Sequence, residues 1–215
     1  MNPAASLTVA VLAGGHSRRM GRDKAALPLG PERLLQRVVR RLRPYAAAVL
    51  VVARTEDAYP WAGAPVVADR YPERGPLGGI ATALHHAATP LLAAVACDMP
   101  FVSGPLLHHL ARHLLQHPHD DIALPRDAHD IQPLHAVYRV ERARPAFVAA
   151  LARPRASIRA AFRGLRVRVF PAADLAAFDP ARAFWNINTP ADYRALREAL
   201  GLPPEPSAGP TEVSP

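Results

Sequence analysis

Short apolar runs alternate along this chain with segments in which apolar residues recur every three or four positions. The runs predict buried strands at residues 8–12, 46–53, 65–69, 91–97, 134–140 and 165–170. The periodic segments predict helices at residues 31–43, 77–88, 103–117, 142–152 and 157–163, with a last helix that begins at Pro190. Strands and helices that alternate in this way favour an α/β fold, in which a mostly parallel, twisted sheet carries helices on both faces.

Composition limits the partners and the compartment. No stretch approaches the roughly 20 consecutive apolar residues of a membrane-spanning helix, so no membrane partner is expected. The net charge is +8, but the arginines are scattered, and we expect no nucleic-acid partner. Cys97 is the single cysteine, which excludes an intramolecular disulfide and agrees with the cytoplasm. We expect one domain over residues 1–200 and a disordered, Pro-rich tail over residues 201–215.

The first predicted strand leads into residues 11–29, VLAGGHSRRMGRDKAALPL, which contain Lys24, the only lysine of the chain. A compact ammonium group suits a single phosphate oxygen, whereas guanidinium groups prefer forked contacts. Gly14 and Gly15 allow backbone N–H groups to approach phosphates, and Arg19 adds a forked donor. The loop matches neither the Walker A pattern nor the dinucleotide-binding pattern. It indicates a triphosphate site, with a tight turn carrying solvated arginines as the alternative.

Two aspartates follow predicted strands. Asp98 directly follows the apolar run LLAAVAC, and Asp69 closes PVVAD. Ligands of doubly wound sheets bind outside the carboxyl ends of the strands, so both side chains and the glycine loop should meet at one edge. Mg²⁺ uses one or two carboxylates together with water and substrate phosphates, which predicts Asp98 as its ligand. Asp69 is expected to hold a ribose hydroxyl or a water, or to be an ordinary turn residue.

The glycine loop and the two aspartates together predict nucleotidyl transfer, with Lys24 and Asp98 as catalytic residues. An anionic oxygen would attack the α-phosphate and pyrophosphate would leave, a reaction that depends on positioning and electrostatics more than on a covalent nucleophile.

Four segments resemble the molybdenum cofactor guanylyltransferases, also called molybdopterin-guanine dinucleotide synthases. They are LAGGHSRRMGRDKAALP at 12–28, Asp69 with GPLGGI at 75–80, CDMPF at 97–101, and NINTPADY at 186–193. The resemblance implies a Rossmann-like nucleotidyltransferase fold that joins GMP from Mg-GTP to the terminal phosphate of molybdenum-bound molybdopterin and releases pyrophosphate. Accessory proteins of cofactor maturation would be further partners.

The resemblance also implies site residues. It places GTP on Leu12, Ala13, Gly14, Lys24, Asp69 and Asp98, to which the loop adds Gly15 and Arg19, and it places Asn186 and Asn188 on the pterin side. One departure is that Val52, Ala53 and Arg54 stand where some members have an asparagine. Three alternatives stay open: a cytidylyltransferase for the same cofactor, a noncatalytic nucleotide-sensing module, and a nucleic-acid binder that uses the positive charge.

Overall fold

The computed structural model describes residues 2–14 and 20–204. Its strands are β1 Leu7–Leu12, β2 Pro28–Leu29, β3 Glu32–Arg33, β4 Ala48–Ala53, β5 Val66–Ala68, β6 Leu91–Ala96, β7 Ile122–Arg126, β8 His135–Arg139 and β9 Val167–Pro171. Seven of them form one sheet in the order β5-β4-β1-β6-β8-β7-β9, and β2 pairs with β3. Within the seven-stranded sheet only β8 runs antiparallel to its neighbours. The predicted α/β fold with a mostly parallel sheet is confirmed.

The helices cover both faces of this sheet, as predicted. They are α1 Leu34–Leu42, α2 Gly75–His86, α3 Gly104–Gln116, α4 Val140–Leu151, α5 Ile158–Ala161, α6 Pro180–Ala183 and α7 Pro190–Ala199. Successive residues of a strand point to opposite faces. Val9 and Val11 of β1 therefore pack in the apolar cluster under α1 and α3, while Ala10 packs in the cluster under α2 and α4.

A third apolar cluster brings the C-terminal helix α7 to the segment that follows the glycine loop. Tyr193 and Leu196 of α7 are buried there with Leu27 and Leu29. The Tyr193 hydroxyl donates to the Pro28 carbonyl at 2.5 Å, and Arg197 Nη1 donates to the same oxygen at 3.1 Å. Helix α7 is thus fixed against the segment that carries Lys24.

The structure differs from the prediction at the start of α1 and in one strand. The helix expected from residue 31 begins at Leu34, because the chain first forms the β2–β3 hairpin around Gly30. Strand β7 was not predicted, and its sequence IALPR contains Pro125, which has no N–H to donate to a neighbouring strand. Pro125 is tolerated because β8 pairs only with Ile122 and Ala123 of this strand.

The predicted disordered tail begins with residues that are held in place. Leu202 N donates to the Arg197 carbonyl at 2.9 Å, and Arg197 Nε donates to the Pro203 carbonyl at 3.1 Å. Residues 205–215 of the predicted tail lie outside the described residues. In residues 2–14 and 20–204, no helix is both long enough and apolar enough to cross a bilayer.

Candidate active site

A cleft lies at the carboxyl edge of the sheet, where β1, β5 and β6 end. Its lining residues include Ala13 and Gly14 after β1, Asp69 after β5, and Cys97 and Asp98 after β6. Strand β1 pairs in parallel with β4 on one side and β6 on the other, which brings these carboxyl ends together. The predicted convergence at one sheet edge is confirmed.

Lys24 reaches this edge from a single helical turn, Lys24–Ala26, which Asp23 caps by accepting from Ala25 N at 3.0 Å. Its ammonium group lies 2.9 Å from Asp98 Oδ2 and donates to Asn188 Oδ1 at 2.8 Å. The side chains of Lys24 and Asp98 are 16% and 20% exposed. The pair is therefore partly shielded from water but still open to a ligand in the cleft.

The second carboxylate oxygen of Asp98, Oδ1, is buried and has no hydrogen-bond partner among the residues that the structure describes. Leaving a charged oxygen without a partner is costly, which favours a cation or a donor from a ligand at this atom. The main chain fixes this aspartate, because its carbonyl accepts from Ile187 N at 2.9 Å. Capping of α3 is not its role, since Ser103 accepts from Leu106 N there.

The donor set fits a magnesium ion. Among the described residues, no three His, Cys, Asp or Glu side chains form a group that could hold a metal by themselves. Mg²⁺ needs no such group, because it keeps several waters and takes further oxygens from substrate phosphates. Asp98 matches that preference, because it lines the cleft beside Lys24 and its Oδ1 has no hydrogen-bond partner in the described part of the chain.

Asp69 lines the cleft and also anchors a turn. Its position therefore agrees both with the predicted ligand contact and with the alternative role of a turn residue. Its Oδ1 accepts from Tyr71 N at 3.0 Å and from the Thr82 hydroxyl at 2.7 Å. These contacts join the end of β5 to α2, which begins at Gly75 with φ +55°, a conformation that favours glycine. Its Oδ2 takes part in neither of these two contacts.

The two asparagines predicted on the pterin side differ in position. Asn188 Oδ1 accepts from Lys24, and its backbone N–H donates to Asp192 Oδ2 at 2.9 Å in the cap of α7. Asn186 instead uses its side chain locally, donating to the Phe184 carbonyl at 2.9 Å. Only Asn188 is therefore brought to the Lys24–Asp98 pair. Gly15 and Arg19 lie outside the described residues.

Tyr59 belongs to this region although no sequence motif pointed to it. Its buried hydroxyl donates to the Ala13 carbonyl at 3.1 Å, and burial, followed by the negative charge of Asp23, raises the pKa of this phenol. Tyr59 therefore stays neutral and holds the backbone that leads into the glycine loop. Its position in a loop outside every quoted motif explains why the sequence did not reveal it.

The apolar part of the cleft consists of residues from several elements, namely Leu12, Val52, Pro72, Pro76, Gly79 and Leu134. A Cβ atom on Gly79 would lie 3.1 Å from Leu12 Cδ1, so glycine lets α2 approach β1 closely. Val52, the first residue of the segment described above as departing from the resemblance, lines this cleft. It offers an apolar side chain at that position.

Cys97 also borders the cleft but is not suited to nucleophilic chemistry. Burial raises the pKa of its thiol, and the adjacent Asp98 carboxylate raises it further. The thiolate form, which is the reactive one, is therefore suppressed.

The open, mostly parallel sheet with a lysine–aspartate pair at its carboxyl edge occurs here in a chain of the NTP transferase class, which the comparison with family models defines. The chain belongs to the MobA-like NTP transferase domain family, which matches residues 9–170.

Relatives with assigned names agree with this membership. The chain is 35% identical over 198 residues to the "probable molybdenum cofactor guanylyltransferase" of Carboxydothermus hydrogenoformans, covering 92% of this chain and 98% of that protein. It is 31% identical over 182 residues to the molybdenum cofactor guanylyltransferase of Vibrio cholerae, covering 84% and 86% of the two chains. Among solved structures, it resembles molybdopterin-guanine dinucleotide biosynthesis protein A of Archaeoglobus fulgidus, with a TM-score of 0.77, 29% identity, and coverage of 90% and 98%.

Proposed function

We propose that this protein transfers GMP from GTP to the terminal phosphate of molybdenum-bound molybdopterin in the cytoplasm, releasing pyrophosphate and forming the guanine dinucleotide cofactor. The observation that carries the proposal is the Lys24–Asp98 pair, together with the Asp98 oxygen that no described residue hydrogen-bonds. The names of the bacterial relatives and of the archaeal structure support the choice of nucleotide and acceptor.

The transfer makes one bond and breaks one. An oxygen of the acceptor phosphate attacks the α-phosphorus of GTP, the bond from that phosphorus to the bridging oxygen breaks, and pyrophosphate leaves with the electron pair. Lys24 would balance the negative charge that develops on the reacting phosphate, because its ammonium group lies at the cleft and has no neighbouring lysine to replace it. Asn188, which accepts from this ammonium group, would hold it in place on the acceptor side.

Asp98 would hold Mg²⁺ through the oxygen that lacks a partner in the described part of the chain. When bound, Mg²⁺ supplies positive charge to the phosphate oxygens. The backbone of Leu12, Ala13 and Gly14, with Gly15 and Arg19 beyond, would hold the nucleotide. Asp69 would reach the ribose with its remaining oxygen, and Asn186 would lie toward the pterin.

The test is a pyrophosphate-release assay with molybdenum-loaded molybdopterin and Mg²⁺, run separately with GTP, CTP and ATP. The proposal expects release with GTP that depends on the acceptor. Release with CTP in its place would establish the cytidylyltransferase alternative. Tight nucleotide binding without any release, in the presence of the acceptor, would establish a noncatalytic sensing module.

A further inference from the structure

A second pocket, separate from the candidate active site, has three arginines in its wall. It is lined by Arg37 and Arg41 of α1, by Phe101 and Ser103 after β6, and by Asp179 and Arg182. Its volume is about 280 Å³. None of these residues lines the cleft that holds Lys24 and Asp98.

The three arginines contact the segment between Asp98 and α3, Arg37 and Arg41 through its backbone and Arg182 through a side chain. Arg37 Nε donates to the Pro100 carbonyl at 3.1 Å, and Arg41 Nε donates to the Val102 carbonyl at 3.1 Å. The guanidinium carbon of Arg182 lies 4.3 Å from the centre of the Phe101 ring. These contacts orient the three groups but neutralise none of their charge.

Carboxylates compensate only part of this positive charge. Arg37 pairs with Glu32 at 3.2 Å. Within residues 2–14 and 20–204, neither Arg41 nor Arg182 lies within ion-pair distance of a carboxylate. Asp179, the one acidic residue in the described lining, accepts from the backbone N–H of Arg182 through Oδ1 at 3.4 Å, and this hydrogen bond does not remove its charge. Asp179 and Glu32 together therefore offset two of the three arginine charges. The pocket therefore keeps a positive excess.

Arg41 is partly buried, which makes the excess positive charge of the pocket energetically unfavourable. Burial lowers the pKa of its guanidinium, and the charges of Arg37, Arg40 and Arg182 lower it further. Like charges gathered in a partly buried place repel one another, and an anion between them would replace that repulsion by attraction. Guanidinium groups suit phosphate because their forked donors match its oxygens.

We propose that the pocket formed by Arg37, Arg41, Ser103 and Arg182 binds a phosphate group. Water takes roughly 30 Å³ per molecule, so a pocket of this size holds a phosphate with several waters. The shared chemistry is a phosphate dianion, which can be free inorganic phosphate or a phosphate ester of a larger molecule. The proposal does not rest on the nucleotide that the protein uses, because the two sites have separate linings.

The test is a calorimetric titration with inorganic phosphate and with phenyl phosphate, at an ionic strength kept constant with sodium chloride. All proteins carry Lys24→Ala, so that binding at the candidate active site is weakened equally in each. In this background, Arg182→Gln and Arg41→Gln are expected to weaken phosphate binding about tenfold or more, since each removes a charge-assisted donor. Tighter binding of phenyl phosphate would identify an ester as the ligand, and tighter binding of inorganic phosphate would identify the free ion.

Arg40→Gln is the matched control. Arg40 lies on the same helix as Arg41 but pairs with Glu32 and does not line the pocket, so its loss is expected to leave phosphate affinity within about twofold. Arg182 is exposed, so its replacement tests the site even if Arg41→Gln fails to fold. Equal phosphate affinity in the Lys24→Ala background and in its Arg182→Gln derivative would overturn the proposal, as would the lack of saturable binding.

Discussion

Lys24 Nζ lies 2.9 Å from Asp98 Oδ2, although 74 residues separate the two in the chain. Asp98 lies just after strand β6, and Lys24 lies in a capped turn after the glycine loop. Both groups are partly shielded, so their interaction is less screened than that of an exposed surface pair. The candidate chemistry depends on this geometry, and replacing either residue tests it.

Replacing Lys24 with alanine is expected to reduce turnover by about 10²–10³-fold, the usual cost of losing one preorganised donor to a reacting group. The fold should persist, because Asp98 is 20% exposed and can be hydrated once the ammonium group is gone. Pyrophosphate release measures the first effect, and circular dichroism the second. Lys24→Arg is the matched variant, and it should recover little activity because a guanidinium is larger and prefers forked contacts. Wild-type turnover in Lys24→Ala would contradict the assigned role.

Replacing Asp98 with asparagine keeps the shape of the side chain and removes its charge. Binding of Mn²⁺, used as a paramagnetic substitute for Mg²⁺, should weaken at least about tenfold in the presence of GTP, because a neutral amide is a poorer ligand for a hard cation. Electron paramagnetic resonance measures free Mn²⁺ directly, without any turnover. Asp120→Asn is the control, since Asp120 pairs with His113 outside the cleft. Equal Mn²⁺ affinity in Asp98→Asn and the wild type would remove Asp98 as the metal ligand.

Tyr59→Phe removes the hydroxyl that donates to the Ala13 carbonyl. The free energy of unfolding should fall by about 1 kcal/mol, because a buried carbonyl loses its side-chain donor. The KM for GTP should rise with little change in kcat, since Tyr59 positions the loop and touches no reacting atom. Urea denaturation and steady-state kinetics measure the two effects. Tyr45→Phe is the control, at a ring that packs beside His108 on α3, and it should leave KM unchanged.

His135 makes the stability of the fold depend on pH. The ring is fully buried against Phe184, and burial lowers its pKa from 6.5 to about 4, with the backbone of Ser103 opposing part of that shift. Between these two values the unfolded chain binds a proton that the folded chain does not. The free energy of unfolding should therefore fall as pH drops from 6.5 to 4, by up to about 3 kcal/mol.

Replacement of His135 by phenylalanine should remove that contribution. Urea denaturation of both proteins at a series of pH values measures it, and the difference in unfolding free energy should change steadily between pH 6.5 and pH 4. Carboxylates titrate in both proteins and so cancel in the difference. Parallel stability profiles across this window would show that His135 binds its proton equally in the folded and unfolded states.

The carboxyl-edge cluster was predictable because it follows from parallel strands alone. Once β1 and β6 are recognised as neighbouring buried strands, Gly14 and Asp98 must meet at one edge. The Lys24–Asn188 contact was not derivable in this way. It depends on the packing of α7 against residues near Pro28, which no local pattern encodes. Only the resemblance of NINTPADY to a known family pointed to that asparagine.

Other features escaped prediction because they arise from contacts between distant segments. Strand β7 contains Pro125, which is tolerated because β8 pairs only with Ile122 and Ala123 of this strand, a fact that the local sequence does not show. The hairpin before α1 replaced a predicted first helical turn, since pairing of Pro28 with Arg33 is decided by the turn at Gly30. The arginine pocket joins α1 to residues near 180, and no spacing within either segment indicates the other.

The hydrogen bond from Lys24 to Asn188 joins residues that are 164 positions apart in the chain, and this separation has a consequence for biosynthesis. On the ribosome, the strands that carry the glycine loop and Asp98 emerge long before the segment that completes the site. A nascent chain can thus form much of its sheet while its lysine still lacks the asparagine partner. The finished arrangement exists only after synthesis has passed Asn188, so the candidate site is completed late in the folding of this segment of the chain.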